Sequence, residues 1–273
     1  MHLGKLGLAV LMSLILFGVL GCAEEEPAQV ETSPSPTLAA SPTPLVRKEG
    51  VKVEVRFYSN LVKDSDLLVE YDREEGQVFT AALSTGVRMK GIMKSRQPDY
   101  RVTVAGESAP AEVILWLNFD KSSGMYRYES DPDTHYTLTE ASAQALVELM
   151  SKLEYSPEQA EKNGDLVNVH GQISNLSVWK KFTGNVEAGK QDAVRVTSYT
   201  TEGGAVFDHL SFDGKSIQHI QDGTLDAWGS RERILSYCEG LDSDQVEGGI
   251  RYKVTGCREG SVSIPLFTVE KLK

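Results

Sequence analysis

Four kinds of residue in this 273-residue chain could do chemistry. Ser177 and Lys180 stand three apart, the spacing that on a helix pairs a nucleophile with a base. No Lys-Thr-Gly companion accompanies them, and a domain of about 110 residues is small for the penicillin-binding fold. His135, His170, His209 and His219 lie beyond the first fifty residues, and none shows the His-Glu-x-x-His spacing of a zinc helix. His209 and His219 flank Asp213-Gly214, so a hairpin there would bring them close, with Asp208 nearby. Such a trio would suit a metal if all three pointed one way, but Asp208 and His209 are adjacent and on a strand face opposite sides. Asp213, Asp222 and Asp226 lack the calcium-loop pattern, and the first two precede glycine as turn residues do. Trp228, in Asp226-Ala227-Trp228-Gly229-Ser230, lies in a loop and is the aromatic to test for binding, whereas Trp116 and Trp179 sit on apolar faces and read as core. No Gly-x-Ser-x-Gly, Walker or dinucleotide motif is present, so no catalytic residue, metal or cofactor is assigned.

The elements that must position these residues fall into two groups. Val51, Val53, Val55 and Phe57 alternate with polar residues, as in a strand with one buried face. Arg73–Ser84 reads as a short helix stopped by Thr85-Gly86, and Tyr100–Ala105, Glu112–Phe119 and Met125–Glu129 read as strands. Thr137 and Glu140 have the spacing of a capping box. Leu138, Ala141, Ala145, Leu149 and Leu153 then follow at helical spacing, widened by Leu146 and Met150. Pro157–Gly164 is polar and turn-rich, a plausible boundary. Beyond it, Asp165–Val169 alternates, and Asn175 could cap a helix whose Leu176, Trp179, Phe182 and Val186 share one face. Ala193–Thr200, Ala205–Phe212, Lys215–Gln221, Glu232–Tyr237, Gly249–Thr255 and Leu266–Leu272 read as strands. The expected fold is therefore α+β: two small domains, 50–156 and 163–273, each a mostly antiparallel sheet with one or two packed helices.

The N-terminus carries an address. Lys5 precedes the uncharged, almost wholly apolar run Leu6–Leu20, too short for a membrane span of roughly 20 residues but long enough for a signal-peptide core. The run ends in Val19-Leu20-Gly21-Cys22, which resembles the lipobox of bacterial lipoproteins. That resemblance implies a signal peptide over 1–22, diacylglyceryl attachment at Cys22, and a place at the extracytoplasmic face of the cell membrane. Two acyl chains on one residue give stable anchoring. An ordinary secretory signal and an uncleaved N-terminal helix are the alternatives. Residues 23–49 hold five of the ten prolines and much Ser, Thr and Ala, a composition that cannot bury a core and serves as a disordered spacer. In an oxidising compartment the remaining pair, Cys238 and Cys257, predicts a disulfide, with a metal pair or two free thiols as alternatives. Because Cys257 continues the polar side of the 249–255 strand, the bridge is expected near the surface.

Two further resemblances emerge. Pro98-Asp99-Tyr100, Leu115-Trp116-Leu117 and the Asp133–Thr139 segment resemble the YhfM-like domain of small Gram-positive lipoproteins over about 51–153. Asn163-Gly164-Asp165-Leu166-Val167-Asn168-Val169-His170-Gly171, Asn175-Leu176, Arg195–Gly203 and Phe212-Asp213-Gly214-Lys215 resemble the domain-of-unknown-function family 4362 over about 163–257, two cysteines included. Gly204-Ala205 and Gln221-Asp222 depart from that family's pattern. Neither resemblance implies an activity.

A net charge of −11 argues against nucleic acid and against an electrostatic hold on anionic lipid headgroups. The expectation is a non-enzymatic lipid-anchored module that binds an unidentified protein or ligand, with His170, His209, His219 and Trp228 as candidate binding residues. The rivals are an envelope enzyme or metal-binding protein using residues 208–226, and an accessory protein of a membrane complex.

Overall fold

A computed structural model describes residues 50–59, 67–90, 96–106, 110–258 and 263–270. Cys22 and the 23–49 stretch lie outside the described residues. All described residues belong to one compact unit, Val46–Lys273. Among them no helix is long and apolar enough to cross a membrane.

The first half is a seven-stranded antiparallel sheet with two helices. Its strands are β1 (Lys52–Phe57), β2 (Leu67–Asp72), β3 (Val87–Arg88), β4 (Tyr100–Ala105), β5 (Ala111–Asn118), β6 (Ser123–Tyr128) and β7 (Asp131–Thr137), in the order β2-β1-β4-β5-β6-β7-β3. The alternation in β1 holds: Val53 and Val55 are fully buried. Helix α1 spans Arg73–Ser84 as its pattern predicts, and Tyr126 donates from its hydroxyl to the Leu83 carbonyl at its last turn (2.6 Å). Helix α2 (Glu140–Met150) starts as expected but is capped differently. Thr137 is committed to β7, paired with Met125, so the box it was to form with Glu140 is not made. Thr139 is the cap instead, its Oγ1 accepting from the Ser142 amide at 3.2 Å. The inward stripe shifts with it to Ala143, Leu146, Val147 and Met150, leaving Ala141 and Ala145 exposed.

The presumed boundary is itself a helix, α3 (Pro157–Lys162), capped by Ser156 with proline at its first position. The second half holds two sheets. The larger runs β13-β12-β11-β10-β8-β9, from β8 (Leu166–Val169), β9 (Gln172–Ser174), β10 (Asp192–Tyr199), β11 (Ala205–Phe212), β12 (Ile217–Asp222) and β13 (Arg233–Cys238); only β8 and β10 pair in parallel. The crossover between them is α4 (Leu176–Glu187), which buries Trp179 and Phe182. The smaller sheet is β14 (Gly240–Val246), β15 (Gly249–Thr255) and β16 (Ser263–Glu270). Both halves are thus mostly antiparallel α+β structures.

Cys238 and Cys257 form the expected disulfide, but not near the surface. They are 1% and 8% exposed and pack in the core that also holds Trp179, Phe182 and Phe267. Gly256, at φ +66°, turns the chain just before Cys257, so the alternation of β15 does not carry through to it.

The two halves share a second core. Val53, Phe57, Tyr100 and Leu146 of the first half cluster with Val167, Tyr199, Phe207 and Leu225 of the second. Helix α3 stitches the seam. Gln159 donates to the Leu68 carbonyl (2.8 Å) and Asn163 to that of Leu67 (2.8 Å), satisfying backbone acceptors on edge strand β2.

Candidate functional site

The larger sheet of the second half has two covered faces, and its register decides which residues meet. His209 lies opposite Ile220, and Leu210 opposite His219. The two histidines therefore point to opposite faces, and the hairpin does not bring them together. His219 faces the disulfide-bearing core, where its Nε2 shares a 2.7 Å hydrogen bond with Asp208 Oδ1. Ser236 stands directly across from His219. These are the residue types of a hydrolytic triad, but Asp208, His219 and Ser236 are 4%, 1% and 2% exposed. Among the described residues no group of three or more His, Cys, Asp or Glu side chains could hold a metal ion.

His209 faces the seam between the halves, edge-on to Phe57 at 4.8 Å between ring centroids. Charged residues surround it on that face. Asp165 accepts from Thr197 (2.6 Å) and Tyr155 (3.1 Å) and pairs with Arg195 at 2.6 Å. The Arg195 guanidinium lies 4.7 Å over the Phe57 ring, a cation–π contact across the seam. Further along, Asp99 of the first half, fully buried, pairs with Arg96 and with Arg233, whose Nε also lies 3.1 Å from Asp222. Burial opposes charge on Arg233, but Asp222 and Asp99 outweigh it and raise its pKa. Burial raises that of Asp165 despite Arg195. For His209, burial and then the positive fields of Arg195 and Arg233 hold the pKa well below 6.5, so the ring is neutral near pH 7. A cavity of about 100 Å³ sits here, lined by Gln97, Arg195, His209 and Arg233 among others. That is below the several hundred Å³ of an ordinary ligand pocket.

The larger opening, about 720 Å³, is a groove between the α2–α3 connection, the β8–β9 turn, the β10–β11 hairpin and the loop after β12. It brings His170 and Trp228 together. His170 sits in the β8–β9 turn at φ +52°, and Trp228 is 81% exposed. The loop presenting Trp228 is tied down at several points. Asp222 accepts from the Thr224 amide (3.0 Å) and hydroxyl (2.7 Å), and Asp226 from the Trp228 amide (3.2 Å). Arg231 donates to Ser151 at the end of α2 (2.7 Å). Gly204 and Gly229 lie against the Asp226 carboxylate, where a side chain on either would collide. Gly204, one of the departures from the family pattern, is thus part of the support for this loop.

The remaining sequence candidates fall elsewhere. Ser177 and Lys180 are both exposed on α4. Asp213 accepts from the Lys215 and Ser216 amides (2.8 Å each), a turn role. Trp116 and Trp179 are core, at 6% and 1% exposed. What the sequence reading missed is the charged seam of Asp99, Asp165, Arg195, Asp222 and Arg233. Arg195, between two valines of a strand, was the one visible signal.

The comparisons with known proteins fall along the same seam. Residues 54–155 match the family model described as YhfM protein, and residues 163–253 the one described as Domain of unknown function (DUF4362). No curated protein and no solved structure gave a significant match. The YhfM match contains Asp99 and ends at Tyr155; the DUF4362 match contains Asp165, Arg195, Asp222 and Arg233. It stops within β15, so Cys257 and β16 lie beyond it. The groove draws on both: Ser151–Tyr155 from the YhfM region, and His170, Thr200–Ala205 and Trp228 from the DUF4362 region.

Proposed function

We propose that this chain is an extracytoplasmic protein, lipid-anchored through Cys22, that binds a ligand or partner in the groove beside Trp228. The observation that carries the binding part is the exposure of Trp228 on a loop held by Asp222, Asp226 and Arg231. A large aromatic left in water costs solubility, and tying it in place lowers the entropy lost when a partner covers it. The anchor rests on the sequence: a charged start, a short apolar run, and Gly21-Cys22 before a proline-rich stretch. The rival enzyme or metal reading of residues 208–226 has the Asp208–His219 contact in its favour, and both side chains of that contact are buried.

Both parts are tested in intact cells. Mass spectrometry of the natural product is expected to find an acylated residue 22 at the N-terminus; an N-terminus still bearing residue 1 would remove the anchor. A photo-crosslinking residue at position 228 is expected to capture a discrete partner that the same residue at exposed Lys180 does not. Equal capture at both positions would remove the groove from the binding role.

A further inference from the structure

We infer that the groove beside Trp228 takes a cationic partner, a peptide segment bearing lysine or arginine, with apolar neighbours along its length. This rests on the binding role proposed above. The charges lining the groove do not cancel. Lys152 is engaged by Glu148 at 3.0 Å. Glu154 and Glu202 line the same groove, are exposed, and have no cationic partner among the described residues. His170 is the remaining basic residue of the lining.

An anionic ligand would meet two uncompensated carboxylates and the field of a chain carrying net charge −11. A cation would be drawn in by both, and the open face of the Trp228 indole adds the attraction of an aromatic quadrupole for positive charge. The remaining lining separates a peptide from a bare polyamine. Leu153, Val169, Ala205 and Leu225 give the groove an apolar floor that only a ligand with its own apolar groups would cover. The volume, about 720 Å³, is that of a site for several linked groups and not for a single ammonium ion.

The test is calorimetric titration of the full chain with four probes: the acetylated, amidated pentapeptide Lys-Leu-Lys-Leu-Lys, its Glu-Leu-Glu-Leu-Glu counterpart, a Ser-Leu-Ser-Leu-Ser control, and spermidine. Saturable binding of the lysine peptide is expected, at least tenfold weaker in Trp228→Ala and in Glu154→Gln/Glu202→Gln. The glutamate peptide should not bind, and the serine peptide and spermidine should bind at least tenfold more weakly. All three positions are exposed, and circular dichroism of the variants checks that the fold persists. Lysine-peptide binding unchanged by Trp228→Ala would reduce the effect to the overall charge and overturn the inference. Spermidine binding as tightly as the lysine peptide would overturn the choice of a peptide. Trp228-dependent binding of the glutamate peptide, or of the serine peptide as tightly as the lysine peptide, would overturn the cationic assignment while leaving the groove as a binding site. No binding by any probe would overturn the inference, and crosslinking at position 228 would still decide the broader reading.

Discussion

Arg233, on the outer strand of the second half, forms an ion pair with the fully buried carboxylate of Asp99 in the first half. Asp99 also accepts from the Leu117 amide at 2.7 Å, so β5 and β13 are joined through one carboxylate. Replacing one partner of such a pair leaves a buried charge uncompensated, which costs about 3–5 kcal/mol. Arg233→Met is therefore expected to lower the unfolding free energy by about 3 kcal/mol, the lower end because Arg96 remains beside Asp99. Asp99→Asn combined with Arg233→Met should cost less than the two single changes together. Urea denaturation of the three variants measures this. A loss under about 1 kcal/mol for Arg233→Met would mean the seam is open to water.

His209 gives the protein a pH dependence of defined sign. Its neighbours across the seam and along the sheet are Arg195, Arg233, His219 and Asp222, the last 3.9 Å away. Its folded pKa lies well below the unfolded value of about 6.5, so the unfolded chain binds the extra proton. The stability it contributes is complete above pH 6.5 and is lost as pH falls toward the folded pKa. The urea midpoint of the wild type should fall between pH 7.5 and 5.5, and His209→Gln should flatten that slope. An equal slope in the variant would assign the effect to another group.

The elements were legible where local pattern and tertiary demand agree. The helix Arg73–Ser84 and strands Tyr100–Ala105, Ala205–Phe212 and Gly249–Thr255 stand where their periodicity puts them. Strand β7 has no local strand signal, since Asp131-Pro132-Asp133 carries turn residues, and pairing with β6 overrides them. β14, with Asp242, Ser243 and Asp244, has no apolar alternation; it is held by pairing with β15 and by Lys253, 2.7 Å from Asp244. The seam was illegible for a different reason. Asp99 and Arg233 are 134 residues apart, and neither has a local signal of burial. Trp228 was legible because Gly, Ser and Asp around it mark a loop; that it shares a groove with His170 depends on the packing of the two halves.

The disulfide is expected to matter more than a surface bridge would. Its sulfurs sit among Leu210, Ile217 and Val254, and it joins the end of β13 to the segment just after β15, a separation of 19 residues. Closing a loop of that length is worth about 3 kcal/mol through the unfolded chain. Cys238→Ser with Cys257→Ser should lose somewhat more, since two hydroxyls would then be buried in an apolar core. Thermal denaturation with and without reductant separates the two contributions. A transition unmoved by reduction under denaturing conditions would show that the smaller sheet holds without the bridge.

The shared core sets a limit on dividing the chain. Two adjacent family matches suggest two units that could be made separately, but Phe57 meets Phe207 edge-on at 4.8 Å between ring centroids, and Tyr155 reaches both Phe207 (5.4 Å) and Asp165 (3.1 Å). Cutting near residue 160 would expose these rings and leave Asp99 without Arg233 and Arg195 without the Phe57 face. Each fully uncovered aromatic forfeits about 1.5–3 kcal/mol of burial, comparable in sum with the stability of a small domain. Residues 50–156 and 163–273 made alone should therefore be less stable than 50–273 and tend to associate. When mixed, they should recover the unfolding transition of the continuous chain. Sedimentation and denaturation of the fragments test this. Two monomeric fragments with sharp transitions at the midpoint of the whole chain would show that the seam adds nothing to folding.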